Sequence, residues 1–345
     1  MTGKTGNRRK RTVVLAAWLL AVCILVSGCA ARSGESAGGS ARGDDARDRI
    51  SVVTTIFPQY DFVRQIAGDK VDLKMLLKPG EETHSYEPTP QDIIAIQNCD
   101  IFIYVGGEND AWVEDILESM PDTGMRTLRL VDCVETVEEE HVQGMEEQPG
   151  HSHEEEEEGH EEEHSVHEMD EHVWTSPENA SLIVEQIAAL LAETDPDNGG
   201  AYEENASAYQ EELDRLDQEF REIVDHAQRK VLIFGDRFPF RYFADAYGLE
   251  YYAAFPGCAS DTEPSAATMA FLIKKTKEEN VPAVLKMELS NDNIANAVAE
   301  AAGTDVKVFY SCHNLLAEQF EEGETYLSMM EKNAQTLKEV LNGWL

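Results

Sequence analysis

Residues 50–77 read ISVVTTIFPQYDFVRQIAGDKVDLKMLL. The opening ISVVTTI is a run of apolar and β-branched residues, as expected of a strand buried on both faces. FPQYDFVRQIAG then carries apolar residues at helical spacing and ends on Gly68, and VDLKMLL is a second strand. Strand, helix and strand in so short a stretch make a parallel βαβ unit, which needs helices on both faces of its sheet.

The alternation continues outward. TPQDIIAIQN places Thr89 as an N-cap and Pro90 at the first helical position; DIFIYVGG, a helix from Trp112 and RTLRLV follow. Ser176 and Pro177 start the helix ENASLIVEQIAALLAE. From about 198 to 228 apolar residues keep helical spacing through Tyr202, Tyr209, Leu213, Leu216, Phe220 and Ile223. Such a helix is about 40 Å long, roughly the width of a domain. Beyond it the first pattern returns: KVLIFG, FPFRYFADAYG, LEYYAAF, a helix begun by EPS, PAVLKME, SNDNIANAVAEAAG, DVKVFY and a terminal helix. The expected architecture is α/β: two Rossmann-like lobes with parallel sheets, residues 50–197 and 229–345, joined by one long backbone helix over 198–228.

The N-terminus indicates export. Lys4, Arg8, Arg9, Lys10 and Arg11 precede an apolar run from Val13 to Val26, short for a bilayer span, and the run ends in VSGC. This reads as a lipoprotein signal over 1–29 in which Cys29 is lipidated and becomes the mature N-terminus. Residues 30–49 are small and polar and read as a flexible tether to the cell membrane. Four cysteines remain, Cys99, Cys133, Cys258 and Cys312, with no CxxC pair. Outside the cytosol a disulfide is permitted, and Cys258–Cys312 is the expected pair; free thiols and a thiolate ligand stay open.

The net charge of −39 argues against nucleic acid or anionic lipid as a partner and favours cations. Much of it lies in one tract. Residues 135–171 hold seventeen carboxylates and no lysine or arginine, together with His141, His151, His153, His160, His164 and His167. The tract, taken as 138–171, has nothing to form a core and reads as a disordered loop that collects divalent ions weakly. His160-Glu161-Glu162-Glu163-His164 matches the HExxH metalloprotease motif, but without an apolar stripe to fix a helix the match follows from composition alone.

Ligands of open parallel sheets bind beyond the carboxyl ends of the strands. After VDLKMLL comes a loop with His84, after KVLIFG comes Asp236, after PAVLKM comes Glu288 and after DVKVFY comes His313; His172 precedes the helix at Ser176. Imidazoles with one carboxylate suit tetrahedral Zn²⁺, and these groups are expected to converge on the cleft between the lobes. His226, among charged neighbours on the long helix, is left out of the site.

HSYEPTPQD (84–92), DEHVWTSPENA (170–180), YEENASAYQEELDRLD, RYFADAYGL (241–249), EPS (263–265) and MELSNDNIANAVAEAAGTDV together resemble the metal-binding lipoproteins of bacterial zinc and manganese ABC transporters, of the zinc-uptake type. The resemblance covers nearly the whole mature chain. It implies two α/β lobes on a rigid backbone helix with the metal between them, and it puts the first two family histidines on His84 and His172. At the third position stands Arg237, which cannot ligate zinc. His313 is therefore expected to substitute, with Asp236 or Glu288 as fourth donor or as support for a ligand. The implied function is an extracytoplasmic receptor that binds Zn²⁺ as its transported ligand, has an ABC transporter permease as its partner, is not an enzyme and acts as a monomer. Alternatives are a manganese-specific or adhesin-like member and, in another class, a zinc-dependent hydrolase.

Overall fold

The computed structural model describes residues 49–81, 86–107, 110–120, 124–145, 169–259 and 263–343. The first sheet comprises β1 (Ile50–Thr54), β2 (Val71–Met75), β3 (Ile101–Tyr104) and β4 (Arg126–Arg129), all parallel and in the order β2-β1-β3-β4. Composition follows position. IFIY of β3 is buried throughout, as a central strand between two helical layers requires, whereas VDLKM of the edge strand β2 alternates between buried and solvent-facing residues. Helices α1 (Phe57–Ala67), α2 (Pro90–Gln97) and α3 (Ala111–Ser119) connect these strands. Thr89 caps α2 as expected: its Oγ accepts the Asp92 N–H at 3.3 Å, and Asp92 accepts the Thr89 N–H at 3.1 Å.

After a 3₁₀ turn at Val173–Thr175, α4 (Pro177–Thr194) leads into α5 (Gly199–Asp225). The long helix spans both sheets' cores. Tyr209 in its middle meets Phe62 of α1 at 6.2 Å between ring centres, and Phe220 near its end meets Phe243 edge-on at 4.9 Å. The residues that the helical spacing singles out, Tyr202, Tyr209, Leu213, Leu216, Phe220 and Ile223, are all buried.

The second sheet comprises β5 (Val231–Phe238), β6 (Glu250–Pro256), β7 (Ala283–Lys286) and β8 (Asp305–Val308), in the equivalent order β6-β5-β7-β8. Around it lie α6 (Arg241–Tyr247), α7 (Ala266–Glu278), α8 (Asn293–Ala302), a short α9 (Ala317–Glu321) and α10 (Tyr326–Asn342). β5 is longer than the sequence suggests. Its pairing with β6 shifts register after Phe234 and resumes at Arg237 and Phe238, so the next helix begins at Arg241 rather than Phe238. Gly235 marks the shift: a Cβ there would lie 2.4 Å from Ala295 Cα of α8. The short α9 was not expected either.

Residues 48–345 form one compact unit, and a single segment does much of the joining. Ser311 to Leu315, after β8, contacts the first half repeatedly. The Ser311 carbonyl accepts Trp174 Nε1–H at 2.9 Å, the His313 carbonyl accepts Phe57 N–H at 3.2 Å and the Leu315 carbonyl accepts Gly80 N–H at 2.8 Å. The Asn314 side-chain amide donates to the carbonyls of Lys78 and Glu81, both at 2.8 Å.

Candidate metal site between the two sheets

His172 is 1 % exposed and precedes the 3₁₀ turn. Its ring Nδ1 and its backbone N–H both meet Asp170 Oδ1 at 2.8 Å. A carboxylate at Nδ1 selects the tautomer with its lone pair on Nε2 and fixes the ring plane, the arrangement typical of a metal-ligating histidine. Burial lowers the affinity of this imidazole for a proton, but the charge and hydrogen bond of Asp170, helped by Glu171 and Glu139, outweigh it and raise the pKa.

His313 comes from the other half of the chain and stands beside His172, with ring centres 4.8 Å apart and planes at 75°. Buried Trp174 is edge-on to both, at 5.7 Å and 4.9 Å. Nδ1 of His313 donates to Ser311 Oγ at 2.9 Å, and that hydroxyl donates to Glu288 Oε1 at 2.9 Å. Glu288 also accepts the N–H groups of Ser311 at 2.8 Å and Cys312 at 2.9 Å. Burial pushes its carboxyl up to about 7 against those donors. Asp236 is bound to backbone instead, accepting the N–H of Arg237 at 2.8 Å and of Met287 at 2.9 Å. Arg237 reaches the Ala259 carbonyl at 3.3 Å.

The two imidazoles line a cavity of about 20 Å³ together with Thr55, Tyr86, Asp110, Trp112 and Glu171. That volume holds one water-sized occupant. Glu288 and Asp236 do not line it. Asp110 was missed by the sequence reading. It follows β3, where the rule applied to the other strands would have found it; its Oδ2 accepts the N–H groups of Val105 at 2.8 Å and Gly106 at 3.1 Å. Burial lifts its pKa to about 6, the Gly106 hydrogen bond opposing and the charge of Glu171 adding. Among the described residues no three ligating side chains already stand in coordinating geometry.

His84, Cys29, His151, His153, His160, His164 and His167 lie outside the described residues, as do the signal and most of the tether. The beginning and end of the acidic tract are described, with His141 exposed. Glu138 and Met169 form an antiparallel bridge, and Tyr242 Oη accepts Val137 N–H at 3.3 Å and donates to the Asp170 carbonyl at 2.7 Å. Glu139 accepts Cys258 N–H at 2.9 Å, and Arg241 pairs with Glu140.

The expected Cys258–Cys312 disulfide is not formed. Their backbones are held by different carboxylates, Cys258 by Glu139 and Cys312 by Glu288. Cys312 is wholly buried in a turn with φ +62°, and burial, with the charge of Glu288, raises its thiol well above the ordinary range. It packs as a small apolar side chain and not as a thiolate ligand.

Residues 52–340 match the family model for the zinc-uptake complex component A, periplasmic. The chain belongs to this family. It is 35 % identical over 327 residues to the high-affinity zinc uptake system protein ZnuA of Bacillus subtilis (strain 168), covering 94 % of this chain and 96 % of that one. It is 34 % identical over 300 residues to the zinc-binding lipoprotein AdcA of Streptococcus pneumoniae serotype 4, covering 85 % of this chain and 56 % of that protein. The chain thus spans about half the length of the AdcA relatives it matches. Among solved structures, the Zn(II)-bound ZnuA-like domain of S. pneumoniae AdcA superposes with a TM-score of 0.68 at 30 % identity, over 85 % of this chain and 99 % of that domain. The two-lobed α/β fold expected from the sequence is the fold of this family.

Proposed function

We propose that this chain is the extracytoplasmic receptor of a zinc ABC transporter, which captures Zn²⁺ between its two sheets and passes it to a membrane permease without covalent chemistry. The observation that carries the reading is the pairing of His172 and His313 on one small cavity, each with Nδ1 engaged and its lone pair on Nε2. His84, from the loop that Asn314 grips at Lys78 and Glu81, is the third imidazole. Zinc suits such a nitrogen-rich set. Glu288 orients His313 through Ser311, and Asp236 braces the ends of β5 and β7.

Cys29 carries the lipid that holds the monomeric receptor at the outer face of the cell membrane. The histidines of the acidic tract, including His141, collect zinc weakly beside the tight site. Zinc titration of the full chain against a high-affinity chelating indicator tests the reading. One tight site is expected, lost in His172→Ala and weakened strongly in His84→Ala and His313→Ala; a tight site surviving all three substitutions overturns it.

A further inference from the structure

The two imidazoles on the cavity come from opposite halves of the chain, His172 bonded at Nδ1 to Asp170 and His313 at Nδ1 to Ser311. A bond at one nitrogen fixes the tautomer but lets the ring swing about that point, and Nε2, on the far side, moves most. Packing of the ring against a rigid neighbour removes the swing.

Trp174 is such a neighbour for both rings. Its centre lies 5.7 Å from that of His172, with 63° between the planes, and 4.9 Å from that of His313, with 87°. The imidazoles are themselves 4.8 Å apart, so the three rings close a triangle, and all three line the cavity. Edge-to-face contacts of this kind are favoured by the ring quadrupoles and are directional.

The indole is held in turn by the second half of the chain. It is 1 % exposed, and its Nε1–H donates at 2.9 Å to the carbonyl of Ser311, the residue whose hydroxyl accepts from His313. The Trp174 carbonyl accepts Tyr326 Oη at 2.7 Å. Tyr326 is fully buried at the start of α10, with its N–H on Asp61 Oδ2 at 2.7 Å and its ring edge-on to Phe62 at 5.0 Å. The 3₁₀ turn is short, with Thr175 N–H on the His172 carbonyl at 3.1 Å, so His172 and Trp174 move together.

We propose that Trp174, held by Ser311 and Tyr326, is the positioning residue that sets the separation and tilt of His172 and His313, so that both imidazoles are presented together to one ion. The proposal rests on reading this cavity as the zinc site. Trp174 gives the metal no donor atom. Its effect is preorganisation: a site whose ligands are placed in advance loses less binding energy to ordering them.

The test uses the full chain, Zn²⁺ with a competing chelator, and Co²⁺ as a spectroscopic substitute. Trp174→Phe keeps a ring against the imidazoles and removes the indole N–H; Trp174→Leu removes the aromatic edge as well. Zinc affinity of the folded protein is expected to fall about 10-fold in the first and about 100-fold in the second, the range found when a group that orients a ligand is lost. The tight site should persist in both, with an altered visible Co²⁺ spectrum. A role in packing alone would lower the thermal midpoint of the metal-free protein and leave the affinity and spectrum of the folded fraction native; that result overturns the proposal. Tyr326→Phe takes away one hydroxyl and keeps the ring beside Phe62, and it carries the test if the Trp174 variants fail to fold. A several-fold loss of zinc affinity with an altered Co²⁺ spectrum is expected there, and native values for both overturn the proposal. His172→Ala separates the two levels: a tight site lost in it leaves the reading of the cavity standing, and a tight site that survives overturns that reading and the role of Trp174 with it.

Discussion

His313 is tied to Glu288 by a single hydroxyl: Ser311 Oγ accepts from the imidazole Nδ1 and donates to the carboxylate, each at 2.9 Å. The relay fixes which ring nitrogen keeps its lone pair although Glu288 is outside the cavity. Ser311→Ala cuts it and leaves Glu288 its backbone donors. Zinc affinity is expected to fall about 10- to 100-fold, the usual effect of removing a partner that orients a ligand, with metal stoichiometry unchanged. Competition titration checks both.

Acidity should act in opposite directions on the empty and the loaded protein. The pKa values of Asp110 and Glu288 are raised by burial, to about 6 and about 7, so the folded state binds more protons than the unfolded chain from the ordinary carboxylate range up to those values. For His172, burial lowers the pKa but Asp170 raises it further, so its contribution is complete below the ordinary imidazole pKa and is lost as pH rises through the folded value. All three groups make the metal-free protein less stable between about pH 5 and pH 8 as pH increases. Zinc, which needs deprotonated ligands, should stabilise more as pH increases. Calorimetric melts at pH 6 and pH 8 are expected to show a lower metal-free Tm and a larger zinc-induced shift at pH 8; equal shifts would refute this.

Two glycine substitutions should separate the stability of the fold from that of the site. A Cβ on Gly235 would lie 2.4 Å from Ala295 Cα, backbone against backbone, and Gly235→Ala should lower stability by about 1–3 kcal/mol or more through overpacking. A Cβ on Gly257 would lie 3.0 Å from His172 Cε1 and 3.1 Å from the Phe238 carbonyl, so Gly257→Ala should displace the imidazole. Denaturant midpoints and zinc affinities of the folded fraction should respond in opposite order in the two variants.

Asn314 is fully buried and reaches both sides of the turn at Lys78 and Glu81 that leads to the His84 loop. Asn314→Ala leaves two carbonyls without this donor, at a cost of about 1–3 kcal/mol each where burial persists. Faster zinc dissociation in stopped-flow chelator experiments is the expected signature, with His172 unaffected in its bond to Asp170.

Removing residues 146–168 should lower the number of weakly bound zinc ions and leave the tight site, because Glu139 and Asp170, which hold Cys258 and His172, lie in the parts retained. Removing Glu139 as well should cost affinity at the tight site. Calorimetric titration counts both classes of site.

The elements legible in the sequence are those whose cause is local. The apolar runs of β1 and β3, the Thr89–Pro90 start of α2 and the helical spacing along α5 each declare themselves within a few residues. The continuation of β5 past Gly235 was not legible, because it depends on pairing with Phe255 and Pro256. In the site, His172 and His313 were found from their places at strand ends, and the structure sets them side by side. Two other residues were less visible: Ser311, which orients His313, looks like an ordinary loop serine, and Asp110 falls between the strand read as DIFIYVGG and the helix read from Trp112. The expected disulfide rested on the two cysteines being in loops, and loop placement does not make two backbones approach.

The segment from Ser311 to Leu315 has a consequence for the order of events in the life of the chain. It supplies one wall of the cavity and bonds to residues near Phe57, Gly80 and Trp174. A nascent chain still lacking this segment has a first sheet but not this cavity. If the cavity is the zinc site proposed above, the protein would acquire its affinity only when synthesis and export have delivered nearly the whole sequence, and its cargo would be the metal of the compartment where folding finishes, not of the one where translation begins.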